Sequence, residues 1–152
     1  MKPSKFFTEE QKKIITDAIK EAELNTSGEI RLHVEKSCKV DVLDRAAYVF
    51  KKLKMHKTEK RNGVLFYLAL NNRQFAILGD AGINAVTPDN FWDEIRDTTL
   101  SYFREDKYAE GLAKGIRMAG QALKEYFPYQ KDDVNELSNE ISFGRSEERR
   151  VG

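Results

Sequence analysis

An uninterrupted apolar segment at residues 64–70 constrains the fold of this chain more than any other feature. It reads Val-Leu-Phe-Tyr-Leu-Ala-Leu, so an extended strand here would be apolar on both faces. Such a strand is stable at the centre of a sheet that other layers cover on both sides. The run is far too short to cross a bilayer as a helix. The segment therefore predicts the central strand of an α/β domain.

Two neighbouring segments predict how the central strand is paired. Residues Glu29–Glu35 alternate between polar and apolar side chains, which is typical of a strand with one face in the core. The segment 42–53 between these two strands has helical periodicity, so the strands should form a parallel crossover. Asn71 and Asn72 favour a tight turn, and residues 74–78 then return as an antiparallel hairpin partner.

Helices are predicted on both sides of these strands. Thr8 and Gln11 form a capping-box pattern that begins the first helix, and Thr87 followed by Pro88 begins the third. The fourth helix extends over residues 108–126 and ends before Pro128. The prediction is a three-layer α/β/α sandwich with a small mixed sheet. The side chains expected in its core are Leu32, Phe66, Leu68, Ile77 and Trp92.

Length and composition are those of one domain. The chain has 152 residues, 40% of them hydrophobic, and the domain is predicted at residues 1–128, followed by a polar tail at 129–144 in which Phe143 can dock. Residues 145–152 resemble the translation of a sequencing-adapter read-through, so they are left out of the fold prediction. The net charge of +1 gives no reason to expect a nucleic-acid partner. The lone Cys38 and the lack of an apolar N-terminal signal favour the cytoplasm without membrane insertion.

The predicted strand directions bring three polar segments to one edge of the sheet. They precede the first two strands and follow the third, and they supply Glu29, Asn62 and Asp80 next to glycines. Two carboxylates and an amide oxygen suit a hard cation such as Ca²⁺ or Mg²⁺. Backbone ligands would come from the predicted glycine-rich loop, at Gly79, Ala81 and Gly82. The sequence therefore predicts a metal site at this edge.

Arg61 leaves an alternative open at the same edge. Its guanidinium could bind a phosphate or another anion, or it could pair with Glu29 or Asp80 and hold the hairpin mouth together. No catalytic residue is predicted. His33 alternates with core residues and has no companion in the pattern, and no phosphate-binding loop, zinc motif or Ser-His-Asp set is recognised.

Three segments resemble the signature segments of the TPM-domain family. They read Thr26-Ser27-Gly28-Glu29-Ile30, Arg61-Asn62-Gly63-Val64-Leu65 and Leu78-Gly79-Asp80-Ala81-Gly82-Ile83. The pair Phe91-Trp92 and the stretch 108–112 match in kind, so the resemblance covers about residues 7–127. It is closest to short bacterial members. The resemblance implies an α/β/α sandwich around a small mixed sheet.

The resemblance also carries expectations about function. The family includes a thylakoid-lumen protein with acid phosphatase activity, and some bacterial members look like divalent-cation binders without an established activity. Many members have Asp where this chain has Asn62, so a metal site here would carry one fewer charge. A LemA-like protein is implied as a partner. Two hypotheses follow: an accessory domain that binds Ca²⁺ or Mg²⁺ weakly, and a metal-dependent acid phosphatase in which Arg61 steers the phosphate.

Overall fold

A computed structural model describes residues 2–130 and 136–144, and their fold is an α/β sandwich around a four-stranded sheet of order β3-β2-β1-β4. The strands are β1 Glu29–Glu35, β2 Gly63–Ala69, β3 Gln74–Gly79 and β4 Ser142–Phe143. The helices are α1 Glu9–Glu23, α2 Val42–Lys52, α3 Ala81–Asn84, α4 Asp93–Phe103 and α5 Tyr108–Leu123, after a 3-10 turn at Pro3–Lys5. β1 pairs with β2 in parallel and β2 pairs with β3 antiparallel, which confirms the predicted mixed sheet.

The two faces of the sheet pack against different layers, as the apolar central strand predicts. Phe66 and Leu68 belong to a large cluster with α1, α4 and α5, whereas Leu65 and Tyr67 belong to a smaller cluster with α2. The side chains predicted in the core are buried, with the exception of Trp92, which is partly buried and packs at the margin of the large cluster. The capping box between Thr8 and Gln11 that begins α1 is confirmed.

The predicted start of the third long helix is wrong. The hydroxyl of Thr87 donates to the carbonyl of Ile83, so it closes the preceding helical turn and does not cap a new helix. The chain then turns through Pro88, and α4 begins at Asp93. The predicted glycine-rich loop after β3 is also different, because the Asp80 side chain caps Ala81 and a short helix, α3, forms there. Likewise, α5 ends at Leu123, earlier than predicted.

The polar tail contributes a strand that the sequence does not signal. Ser142 and Phe143 form β4, which pairs in parallel with His33 and Val34 of β1. Phe143 is half-buried against the large cluster, in agreement with its predicted docking. The predicted adapter-like segment 145–152 lies outside the described residues. Within the described ranges, no helix is long and apolar enough to cross a membrane.

Candidate functional site

The three polar segments named in the sequence do meet at one edge of the sheet. Glu29 lies opposite Gly63 in the parallel pair, and Val64 lies opposite Gly79 in the antiparallel pair. Backbone hydrogen bonds continue these ladders past the strand ends. The Glu29 N–H donates to the Asn62 carbonyl at 3.2 Å, and the Asp80 N–H donates to the Gly63 carbonyl at 3.0 Å. Strand direction therefore places the segments together, as predicted. The side chains of Glu29, Asn62 and Asp80, however, form hydrogen bonds with different partners.

Asp80 is held in a two-point ion pair with Arg61. The guanidinium Nε donates to Oδ2 at 2.8 Å and Nη2 donates to Oδ1 at 2.9 Å. Oδ1 also accepts the Ala81 N–H at 2.7 Å as the cap of α3. The carboxylate of Asp80 raises the pKa of Arg61. Of the alternatives left open for Arg61, pairing with Asp80 is the one present in the structure.

The close packing of the α3 turn against the β2 entry explains the glycine at position 82. The Gly82 N–H donates to the Arg61 carbonyl at 2.9 Å. A Cβ at this position would lie 2.2 Å from the Lys60 carbonyl oxygen, so any side chain would force the two segments apart. Gly82 thus fixes the position of Asp80 relative to Arg61.

Asn62 is buried, and its side chain forms a hydrogen bond with the backbone of a neighbouring segment. Its Nδ2 donates to the Ser27 carbonyl at 3.3 Å, and its own N–H donates to the Thr58 hydroxyl at 3.3 Å. The side chain therefore ties the segment before β2 to the segment before β1. This role accounts for an uncharged residue at this position, because a carboxylate has no donor for the Ser27 carbonyl.

Glu29 faces the tail, a contact that sequence reasoning missed. The Leu137 N–H donates to its Oε1 at 2.5 Å, and the carboxyl of Glu136 lies within hydrogen-bonding distance. Burial and the neighbouring Glu136 raise the pKa of Glu29 to about 8. No periodic pattern marks the tail, so nothing in the sequence connects Glu136 with Glu29.

The side-chain oxygens at this edge of the sheet differ in their accessibility. Glu29 is 4% exposed, whereas Glu136, which raises its pKa, is exposed. The Asp80 oxygens already accept three hydrogen bonds. Across residues 2–130 and 136–144, no three His, Cys, Asp or Glu side chains are grouped closely enough to hold a metal ion by themselves.

A second polar cluster lies at the opposite end of β1. Glu35, 3% exposed, accepts Nε of Arg45 at 2.7 Å and Nη2 at 2.8 Å, and it also accepts the Tyr67 hydroxyl. Burial alone would raise the pKa of Glu35, but the hydrogen bonds from Arg45, His33 and Tyr67 outweigh it and lower the pKa to about 2. The partners of Glu35 therefore enclose its carboxylate and favour the ionised form.

His33 is 6% exposed, in agreement with its alternation with core residues, and it joins this cluster to the tail. Its Nε2 lies 3.3 Å from Glu35 Oε1, and its Nδ1 lies 2.8 Å from the Ser142 hydroxyl. A carboxylate only accepts hydrogen bonds, so Nε2 carries a proton and donates to Glu35. The alternation in β1 places His33 and Glu35 on one face, but the tail residue could not be anticipated.

Comparison with known proteins identifies the family of this chain. Residues 1–122 match the TPM domain family. The solution structure of the BA42 protein from the psychrophilic bacterium Bizionia argentinensis is similar over 92% of this chain and 97% of its own, with 51% identity and a TM-score of 0.88. A search of curated proteins gave no match.

Two more distant solution structures share the fold. The N-terminal domain of a P. gingivalis protein has 20% identity and a TM-score of 0.66, over 82% of this chain and 80% of that one. The N-terminal domain of the cg2496 protein from Corynebacterium glutamicum has 15% identity and a TM-score of 0.55, over 96% and 85%. With the family match extending over most of its length, this chain belongs to the TPM domain family.

Proposed function

We propose that this protein is an accessory domain that binds a divalent cation, Ca²⁺ or Mg²⁺, weakly at the sheet edge formed by Glu29, Asn62 and Asp80. The observation that carries the proposal is that the tail binds over Glu29: its Oε1 accepts the Leu137 N–H, and the carboxyl of the preceding residue, Glu136, raises the pKa of Glu29. Neighbouring carboxylates repel each other unless a proton or a cation lies between them. A hard cation with oxygen ligands meets that requirement.

The proposed ligands differ in the proton or ion pair that each must lose before it can bind the ion. Glu29 must lose its proton before it can hold the ion, so binding should strengthen as the pH rises toward its raised pKa of about 8. Asp80 would have to release Arg61, whose side chain is 50% exposed and can move away. Glu29 is therefore the principal ligand in the proposal. Asn62, which precedes β2, and Asp80, which follows β3, are secondary ligands.

Titration of amide NMR shifts with CaCl₂ and MgCl₂ tests the proposal. We expect shifts at Glu29, Asn62 and residues 136–137, with a dissociation constant on the order of 10⁻³ M, as for sites with few carboxylates. Glu29→Gln should abolish these shifts. Asp80→Asn should leave the dissociation constant within about threefold, because that carboxylate is already paired.

The matched control is Glu94→Gln, which changes the same functional group at an exposed position of α4. It should titrate like the wild type. A wild-type spectrum that does not respond to either ion at millimolar concentration would remove the binding proposal. A response that survives Glu29→Gln but is lost in Asp80→Asn would move the ion to the Arg61 side of the edge.

Metal-dependent acid phosphatase activity is the second candidate, and we expect it to be low or absent. In that mechanism Arg61 steers the phosphate, but two of its donors are engaged by Asp80. Hydrolysis of a chromogenic phosphate ester, measured across pH with and without divalent ions, tests this expectation. Activity that depends on the ion and is lost in Arg61→Ala would establish the phosphatase instead.

A partner and a location belong to the same proposal. The family resemblance suggests a LemA-like protein as partner, and the free, buried Cys38 suits the cytoplasm. A titration of labelled protein with a purified LemA-like protein, with and without Ca²⁺, tests the first point. If adding the LemA-like protein leaves the amide shifts of the labelled protein unchanged, with and without Ca²⁺, this partner is excluded.

A further inference from the structure

The outer edge of β1 is covered by residues 136–144, which we name the strap. The family match ends at residue 122, so within the matched part of the chain β1 is an edge strand of a three-stranded sheet. The strap pairs with β1 as a strand only at Ser142 and Phe143. An exposed strand edge is a template for pairing with another chain, and proteins cover such edges.

The strap contacts β1 in a regular register. Ser142 lies opposite His33 and hydrogen-bonds its ring, and two residues later the Gly144 N–H donates to the Val34 carbonyl at 2.8 Å. Two residues earlier is Glu140; burial lowers the pKa of Arg31, and the charge of Glu140 partly offsets that effect. Alternate strap residues therefore meet the alternate polar residues of β1, as neighbouring parallel strands do.

Two features make this edge selective for the segment that it holds. A Cβ at Gly144 would lie 2.2 Å from the Cβ of Glu35, so glycine is required at that register position. The Arg31 Nε is buried with no hydrogen-bond partner among the described residues, so an acidic side chain placed closer to it would be stabilised.

We propose that the outer edge of β1 is a docking surface for an extended segment of a partner protein, and that the strap occupies this surface in cis. The partner segment pairs in parallel with β1. It has a glycine opposite Glu35, a hydroxyl side chain two residues before it for His33, and an acidic side chain two residues earlier for Arg31. This inference goes beyond the proposed cation site and does not rest on it.

The strap must leave before a partner segment can dock, and this dictates the experiment. Gly144→Val in the full chain should detach the end of the strap because its Cβ cannot fit beside Glu35. Phe143→Ser removes the apolar anchor of the strap and serves as a second variant. Loss of the wild-type amide shifts at His33, Val34 and Ser142 would report detachment.

The probe is a labelled synthetic peptide with the sequence of residues 136–144. An attached segment competes at an effective concentration in the millimolar range, so the wild type should bind the peptide poorly. We expect both variants to bind it at least tenfold more tightly than the wild type does. The exposed substitution Lys114→Val on α5 should behave like the wild type, and a peptide with Val at the Gly144 position should not bind either variant.

Three results would overturn the proposal. One is detachment of the strap in either variant without tighter peptide binding. Another is a strap that stays in place in both variants, because the glycine requirement would then be absent. The third is a dimer of the wild type, seen in sedimentation, in which straps are exchanged, because the occupant of the edge would then be a second copy of this chain.

Discussion

Two arginine–carboxylate pairs stand at opposite ends of the same sheet, and they differ in what surrounds them. Arg61 and Asp80, and Arg45 and Glu35, each make two parallel hydrogen bonds of 2.7 to 2.9 Å. The Arg61 side chain is 50% exposed, whereas that of Arg45 is 24% exposed. Equal geometry therefore does not imply equal energy, because solvent screens the first pair and the protein interior surrounds the second.

Partners other than arginine widen this difference. Glu35 also accepts the Tyr67 hydroxyl and contacts His33, all from side chains inside the sandwich. Asp80 receives one additional hydrogen bond, from the Ala81 N–H at the start of a short helix. We infer that the Glu35 cluster stabilises the fold, whereas the Arg61–Asp80 pair can be opened at little cost to stability.

Arg45→Ala should produce the largest effect. It leaves the buried Glu35 carboxylate without its cation, and breaking one partner of a buried pair costs about 3–5 kcal/mol. The free energy of unfolding from urea titration at pH 7 measures it. A loss no greater than that of Arg61→Ala would mean that the two pairs are energetically equivalent, contrary to the comparison.

Tyr67→Phe should have the next largest effect. The variant keeps the packing of the ring and removes one hydrogen bond to a charged group, which is worth about 1.5–3 kcal/mol. The same urea titration measures the loss. The exposed Tyr48→Phe serves as the control and should leave stability unchanged. Equal effects of the two substitutions would show that the hydrogen bond from Tyr67 to Glu35 does not stabilise the fold.

The dependence of stability on pH should be opposite for Glu35 and Glu29. The pKa of Glu35 falls from 4.5 to about 2 on folding, so its contribution is present above pH 4.5 and is lost as the pH drops toward 2. The pKa of Glu29 rises from 4.5 to about 8, so folding is penalised progressively as the pH rises from 4.5 to 8.

Glu29→Gln should remove that penalty. Relative to the wild type, the variant should gain about 1 kcal/mol or more of unfolding free energy between pH 5 and pH 8, measured without divalent ions. Glu23, whose pKa is raised to about 7 by burial, keeps part of the wild-type slope in both proteins. Parallel stability curves for the two proteins would show that Glu29 is ionised at neutral pH.

Arg61→Ala should have the smallest effect on stability. Because the guanidinium is screened by solvent, the urea midpoint should equal that of the wild type within error. The informative measurement is the cation titration, in which the loss of Arg61 frees Asp80 and should strengthen Ca²⁺ binding. A clear drop in the urea midpoint would instead make this pair a structural clasp of the hairpin mouth.

Much of the fold follows from local sequence. The apolar run of β2, the alternation in β1 and the Asn71-Asn72 turn each act over a few residues, so strand bounds and directions are predicted closely. The α4 start was misplaced because Thr87 and Pro88 fit a helix cap locally. Whether Thr87 caps forward or bonds back to Ile83 depends on the preceding turn, which the local pattern does not show.

The sequence by itself determined that Glu29, Asn62 and Asp80 share one edge, because strand direction alone brings their backbones together. Which side chains pair was decided by tertiary structure. Glu136 lies near Glu29, and Ser142 contacts His33, although more than a hundred residues separate each pair in the sequence. The tail has no periodic pattern from which these pairings could be predicted. Such contacts depend on the surface left uncovered once the sandwich has formed, and that surface exists only in three dimensions.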